Sequence, residues 1–330
     1  MKKELNNDLK VFHSTSFDEL VLNKKMPYPF DRELINLLKE ENRFGQEYYY
    51  IESGSDYAFF IVYKNKMNIF TFGKWKCNFN LNVVGFPCSL SNCGYVTNNE
   101  KMMLDYIRTI KGAVLVLNVN NPIYTDYMTI GATLPTCIFN NRFETVEEYL
   151  GSLRSSYRRR INLARKACED IEIRDVSDNS ADIYQLYLNT YNKSDYKLEK
   201  LEKGFFDRVD AHKIAFFKED VPVGFVLLKQ VEDRLIFMLC GMNYDYDTTD
   251  LYYYMLFYIV EYAINNKCRV IDFGQTSEAT KMKFGAVLEE KYFYARHSNF
   301  ILNGFVKLCK GLLEYKYSFP KFRVFREDLE

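Results

Sequence analysis

From Glu47 to Phe86 the chain alternates short runs rich in aromatic and β-branched residues, EYYYIES, YAFFIVYK, KMNIFTFG and FNLNVVGF, with turn signals at Gly54-Ser55, Asn65-Lys66 and Gly73-Lys74. This pattern predicts an antiparallel meander. A helix over 99–110, the apolar strand AVLVLNV at 113–119 and a short strand ending near Asn140 follow it. In FETVEEYLGSLRSSYRRRINLARKACED, Tyr149, Leu153, Tyr157, Ile161 and Ala164 recur at helical spacing behind a capping box of Thr145 and Glu148, so one long amphipathic helix is predicted. After the strand IEIRDV and one or two helices over 180–210 comes a second strand series, KIAFFKE, VGFVLLKQV and RLIFMLCGM, with hairpin turns at Glu219-Asp220 and Glu232-Asp233. A helix over 249–266, the strand RVIDFG, a short helix around 278–283, a strand over 287–296 and an amphipathic helix over 299–313 complete the order.

The two halves share a sequence of elements: meander, helix, strand. No residue-level repeat accompanies it, so the expectation of a duplicated α/β (α+β) unit rests on element order alone, with a division into 1–143 and 144–330.

Composition narrows the function classes. Lys plus Arg equals Asp plus Glu at 44 each in 330 residues, which leaves no overall bias towards nucleic acid or an anionic membrane. Any anion site must be local. The eight cysteines contain no Cys-x-x-Cys pair, and three histidines cannot complete a metal set, so no metal site is expected. The cysteines read as reduced, mostly buried thiols. MKKELNNDLKVF lacks the apolar run of a signal peptide, and LYYYMLFYIVEYAI is too short to span a bilayer, so a soluble, cytoplasmic chain with no membrane insertion is expected.

Two stretches carry candidate chemistry. From Arg234 to Gly274 a strand, a polar loop, a helix and a second strand succeed one another; a helix start after such a loop suits a phosphate, although Asp245, Asp247 and Asp250 oppose an anion there. In IDFGQTSEATKMKFG, residues 271–285, Lys281 and Lys283 follow a strand end, where a lysine either neutralises a phosphate or oxyanion or stays in solvent. The basic face of the dividing helix, Arg158, Arg159, Arg160, Arg165 and Lys166, either grips a phosphate-bearing acceptor or a tRNA backbone, or is a solvated face complementing Glu144, Glu147 and Glu148. Cys240 reads as a small buried thiol, because no histidine stands in a context that would activate it.

Asp272-Phe273-Gly274 followed by Lys281-Met282-Lys283-Phe284-Gly285 resembles the closing segment of FemAB-like and related acetyltransferase domains of the GNAT superfamily. Arg158, Ile161 and Ala164 fit a second motif of those families, at the expected distance. The resemblance covers roughly residues 145–296. It implies tandem GNAT-like units, each a mixed, mostly antiparallel sheet flanked by helices, with the central strand of the second unit splayed from its parallel neighbour to admit acetyl-CoA or another acyl-CoA, or in some relatives an aminoacyl-tRNA. Carried over, the donor would lie against Leu239, Cys240, Gly241 and Met242 and the helix start at Thr248, Thr249 and Asp250, while Arg158 and Arg159 would bind the acceptor. The glycine loop of ordinary acetyl-CoA users is replaced by NYDYDTTD.

The implied reaction is attack of an amine on a thioester or ester, which needs an oxyanion stabiliser and a proton source for the leaving group. Lys281 occupies the family's lysine position and would stabilise charge. Asp272 is either the general base or a cap for turn N–H groups. Tyr294, or alternatively His297, would protonate the leaving group. The expected function is acyl-CoA-dependent N-acylation of an amine on a small molecule, sugar or cell-envelope precursor. The alternatives are aminoacyl-tRNA-dependent bridge synthesis on a peptidoglycan precursor and a non-catalytic GNAT-like binding module.

Overall fold

The computed structural model describes residues 8–20, 26–70, 72, 77–88, 90–177, 181–194, 199–246 and 248–326. In chain order its elements are β1 (Lys10–Ser14), α1 (Arg32–Glu40), β2 (Gln46–Ser53), β3 (Asp56–Asn68), β4 (Asn78–Val84), β5 (Tyr95–Thr97), α2 (Glu100–Ile107), β6 (Ala113–Val119) and β7 (Thr129–Ala132). Next come β8 (Thr136–Asn140), α3 (Val146–Ser152), α4 (Ser155–Ala167), β9 (Glu172–Asp175), α5 (Ala181–Lys193), α6 (Lys203–Arg208), β10 (His212–Lys218), β11 (Val221–Val231), β12 (Arg234–Met242) and α7 (Thr248–Asn265). The chain closes with β13 (Val270–Asp272), α8 (Glu278–Met282), β14 (Val287–Glu289), β15 (Tyr292–His297), α9 (Phe300–Leu308) and α10 (Lys310–Leu313).

These elements form two compact units, residues 1–134 with 290–316 and residues 135–289 with 317–330. The expected cut at 143/144 keeps each strand with the half of the chain it follows. In the structure β8 lies in the sheet of the second unit and β15 in that of the first. The strand expected over 287–296 is therefore two strands, β14 and β15, which belong to different sheets.

In the first unit the sheet order is β1-β2-β3-β4-β6-β15-β7, with β5 beside β3. All pairs are antiparallel except β4 with β6. Four strands were expected between Glu47 and Phe86, but β3 runs unbroken through the Asn65-Lys66 turn signal, paired to β4 from Val62↔Val84 to Asn68↔Asn78. Neither residue adopts a positive φ, and alternating pairs along a long partner outweigh a local turn preference. Asn99 caps α2 by accepting from the Met102 N–H at 3.0 Å, and the helix buries Met103, Leu104 and Ile107 against Phe60, Val84 and Val116.

In the second unit the sheet order is β14-β8-β13-β12-β11-β10-β9, and only β12 with β13 is parallel. The Glu219-Asp220 turn holds both residues at positive φ, and Glu232 adopts it in the next hairpin, as the tight turns require. Thr145 caps α3 by accepting from the Glu148 N–H at 3.1 Å. The single long helix expected from there breaks at Leu153 and Arg154, both extended. The reason lies far along the chain: Leu153 bridges Phe325, Arg154 N–H donates to Val324 O and Arg326 N–H donates to Ser152 O. The apolar faces of α4 and α7 close a core with Phe139, Tyr149, Ile214 and Phe237.

Candidate active site

The parallel pairing of β12 with β13 ends at Ile236↔Asp272, yet β12 continues six residues further along β11. The strand after β13 turns the other way. Phe273 N–H donates to Cys137 O at 2.9 Å and Cys137 N–H to Gly274 O at 3.0 Å, so this segment stays with β8. The ladder therefore opens into a gap beyond Phe237, whose carbonyl would still stand 3.6 Å from a Cβ on Gly274. Met238 is the extra residue of a bulge in β12, set between the Leu228↔Phe237 and Leu227↔Leu239 pairs, and a bulge at this point bends the strand.

The hydrogen-bond alternation decides which backbone groups face the gap. Asn243 N–H donates to Val223 O at 2.8 Å, so in an antiparallel ladder Gly241 and Leu239 also turn their N–H and C=O groups to β11. Those of Cys240 and Met242 turn to the gap. Met242 N–H is already held by Thr190 Oγ1 of α5 at 3.1 Å. Of the four residues expected to bind the donor, Cys240 therefore turns both backbone groups to the gap and Met242 its carbonyl. Gly241 serves the packing instead, because a Cβ there would stand 2.4 Å from the Leu186 carbonyl carbon, and glycine lets α5 lie against β12.

On the opposite wall, Gly274, Thr276 and Ser277 all adopt positive φ before α8 begins, a backbone that is costly for Thr and Ser. This turn aims Lys281 inward. Lys281 is 2% exposed, its Nζ donates to Gln275 O at 2.7 Å and stands 5.9 Å from the Phe237 ring centre. Burial pushes the Lys281 ammonium below its ordinary pKa, while Cys137, Cys240, Glu278 and Asp272 around it pull the other way. Burial also raises the thiols, Cys240 to about 11 and Cys137 to about 12, with Lys281 lowering both. They stay protonated at neutral pH, so neither is an activated nucleophile, although Cys240 is half-buried where a buried thiol was expected. Lys283 points elsewhere, 5.8 Å from the Phe322 ring centre.

Asp272 is buried, with Oδ1 accepting from Gly274 N–H at 2.9 Å and Oδ2 from Arg234 Nη1 at 3.2 Å. It caps the turn and anchors Arg234. Tyr252, on the first turns of α7, bonds to the Ser277 side chain and lies close to Cys240; burial raises its hydroxyl well above the ordinary tyrosine value. Sequence reading missed this residue, because the run LYYYM offers three tyrosines and no signal to choose among them.

Tyr294 belongs to the first unit. It lies in the core of the first unit, where its hydroxyl donates to Glu100 Oε1 at 2.9 Å and accepts from Ile123 N–H at 2.6 Å. His297, the other expected donor, also lies on β15 of that unit, and its Nδ1 accepts from Asn299 N–H at 3.0 Å. In the same unit the end of β6 beyond the β4 pair is covered by the chain itself: Asn118 Nδ2 donates to Leu90 O at 3.2 Å and Asn92 O at 3.4 Å.

At the start of α7, Asp250 binds Arg160 Nη1 at 2.6 Å, and the same guanidinium lies 4.0 Å over the Tyr253 ring. This ion pair offsets the Asp250 charge, one of the three that opposed an anion there. Thr249 is exposed, and the Thr248 side chain and Asp247 lie outside the described residues. Arg165 stacks on Phe257 at 4.8 Å. Arg158 is half-buried and Arg159 exposed, and neither forms an ion pair with Glu144, Glu147 or Glu148 among the described residues. Among the described residues no His, Cys, Asp and Glu cluster has the makings of a metal site, and no helix is long and apolar enough to cross a membrane.

Residues 151–282 match the family model for the acetyltransferase (GNAT) domain. The chain is similar in structure to L-PGS from Bacillus licheniformis, at 11% identity and a TM-score of 0.52, over 87% of this chain and 98% of that one. It is also similar to a tandem GNAT protein from the clavulanic acid biosynthesis pathway, at 6% identity and a TM-score of 0.52, over 88% and 99% of the two chains. FemX aligns at 12% identity and a TM-score of 0.47, over 82% and 92%. No curated protein matches at the sequence level. Residues 151–282 are thus similar to an acetyltransferase (GNAT) domain, and the chain shares its fold with L-PGS and the tandem GNAT protein.

Proposed function

We propose that the second unit transfers an acyl group from an acyl-CoA to the amine of a small molecule, sugar or cell-envelope precursor. The observation that carries this reading is the gap beside Cys240, with Lys281 buried on its far wall. The residues present suit an acyl-CoA: Cys240 N–H and C=O are turned away from β11 and can hold an amide-bearing arm, and the Asp250–Arg160 pair leaves the α7 start compatible with a phosphate. The bound thioester supplies the electrophilic carbonyl.

The acceptor attacks as a free amine, forming an N–C bond while the carbonyl electrons move to oxygen. The Lys281 ammonium, held by Gln275 O, stabilises that oxyanion with its remaining N–H groups. Collapse breaks the C–S bond, the thiolate takes a proton from a hydroxyl, and the proton shed by the attacking nitrogen restores that hydroxyl, leaving the amide and the free thiol. Tyr252 suits this proton transfer better than Tyr294, because it neighbours Cys240 and Lys281's turn, whereas Tyr294 is committed to Glu100 and Ile123. Asp272 acts as a cap and not as a base in this scheme.

A thermal-shift titration with acetyl-CoA and longer acyl-CoAs tests the donor. Stabilisation that rises with the logarithm of ligand concentration is expected. No shift even at millimolar acyl-CoA would refute the acyl-CoA reading.

A second reading, with aminoacyl-tRNA as donor, is favoured by one observation: among the described residues Arg158 and Arg159 show no carboxylate partner while Arg160 and Arg165 are engaged. Two contacts of this kind to phosphate would give salt-sensitive binding to charged tRNA that R158A/R159A weakens.

A further inference from the structure

The helices α9 and α10 are the least explained part of the first unit. Neither buries a single residue. Asn303, Val306, Cys309 and Leu313 are half-buried and recur at the spacing of the stripe turned towards the protein. On the opposite side, Ile301, Phe305, Leu308 and Leu312 stand at i, i+4, i+7 and i+11 and form one stripe, 56%, 58%, 82% and 54% exposed. Phe300, at the start of α9, is 83% exposed. Gly304 leaves a shallow groove between Ile301, Phe305 and Leu308, with Lys307 at its rim.

Such a stripe is costly in water unless something covers it. The charges around it select the cover. Residues 298–313 contain Lys307 and Lys310 and no acidic residue, in a chain whose net charge is zero. Lys316 follows; Lys310 pairs with Glu314 at 3.5 Å, and Lys307 Nζ donates to the main-chain carbonyl of Asp126 at 2.6 Å. A second copy docked on this face in a two-fold arrangement would set lysines against lysines, with no carboxylate on α9 to meet them. Large apolar side chains on one side, with two lysines and no acidic residue within 298–313 itself, are the chemistry of a helix lying in the headgroup region of an anionic bilayer.

We propose that α9 and α10 dock the protein onto an anionic membrane surface, with the Ile301, Phe305, Leu308 and Leu312 stripe among the acyl chains and Lys307, Lys310 and Lys316 at the headgroups. This is adsorption at the interface and not a membrane span. It does not depend on the acyl-transfer reading.

The experiment is flotation of the full chain with vesicles of phosphatidylcholine alone and of phosphatidylcholine mixed with phosphatidylglycerol. The wild-type protein floats with the anionic vesicles. F305S/L308S lowers its partitioning by about tenfold or more, and K307Q/K310Q lowers it by about fivefold for each lysine. Both variants replace exposed side chains and keep the thermal melt of the wild type, which separates lost docking from lost folding. Failure to float at millimolar anionic lipid, or equal binding to neutral vesicles, overturns the proposal. So does a concentration-dependent dimer in sedimentation that F305S/L308S abolishes, because the stripe would then be a protein interface.

Discussion

Replacing Lys281 by methionine separates a catalytic ammonium from a structural side chain. Methionine keeps most of the aliphatic bulk beside Phe237 and removes the charge that burial penalises. The loss is the hydrogen bond to Gln275 O, worth about 1 kcal/mol. Relief of desolvation offsets it, so the stability of K281M stays within about 1 kcal/mol of wild type, whereas K281A leaves a cavity that costs about 2–4 kcal/mol. Turnover behaves differently, because removing an oxyanion donor costs about 10²–10³-fold in kcat. Release of free thiol from an acyl-CoA, followed against a panel of amines, reads the rate, and urea unfolding reads the stability. A K281M protein with wild-type turnover, or one that unfolds as readily as K281A, would refute the assigned role.

The same residue links pH to stability and rate in opposite senses. Between its lowered native pKa and the unfolded value near 10.5, the unfolded state binds more protons at Lys281, so stability rises with pH across that window; K281M flattens this limb in urea melts at a series of pH values. In the same window kcat falls as the ammonium is lost, and a flat alkaline limb would count against charge stabilisation. Y252F lowers kcat by about 10–10²-fold with little change in KM and a thermal melt close to wild type, while Y294F leaves the kinetics unchanged. G241A drives a methyl group into the Leu186 carbonyl and lowers stability by about 2–3 kcal/mol in urea unfolding, weakening donor affinity as α5 moves off β12.

Local chemistry accounts for much of what was legible beforehand. Caps at Thr145 and Asn99 and tight turns at Glu219-Asp220 and Glu232 are decided within a few residues, so their positions read directly from the chain. Apolar periodicity marked β6, β10 to β12 and α7 for the same reason. The family's motif marked Lys281, and the structure buries it beside the gap. Tyr252 stayed hidden, since its value comes from where α7 sets it beside Ser277 and Cys240 and not from its neighbours in sequence.

By itself the sequence determined the element types, the repeated order of the two halves and the residue classes available for acyl transfer, because propensity, capping and periodicity act over a few residues. Tertiary structure alone decided the partners. The tail at Val324 to Arg326 splits the basic helix, β8 and β15 each join the sheet built mainly by the other half of the chain, and the departure of β13 along β8 opens the gap beside Cys240. These are hydrogen bonds between residues up to some 170 positions apart, and a local pattern carries no record of which distant strand will complete its ladder.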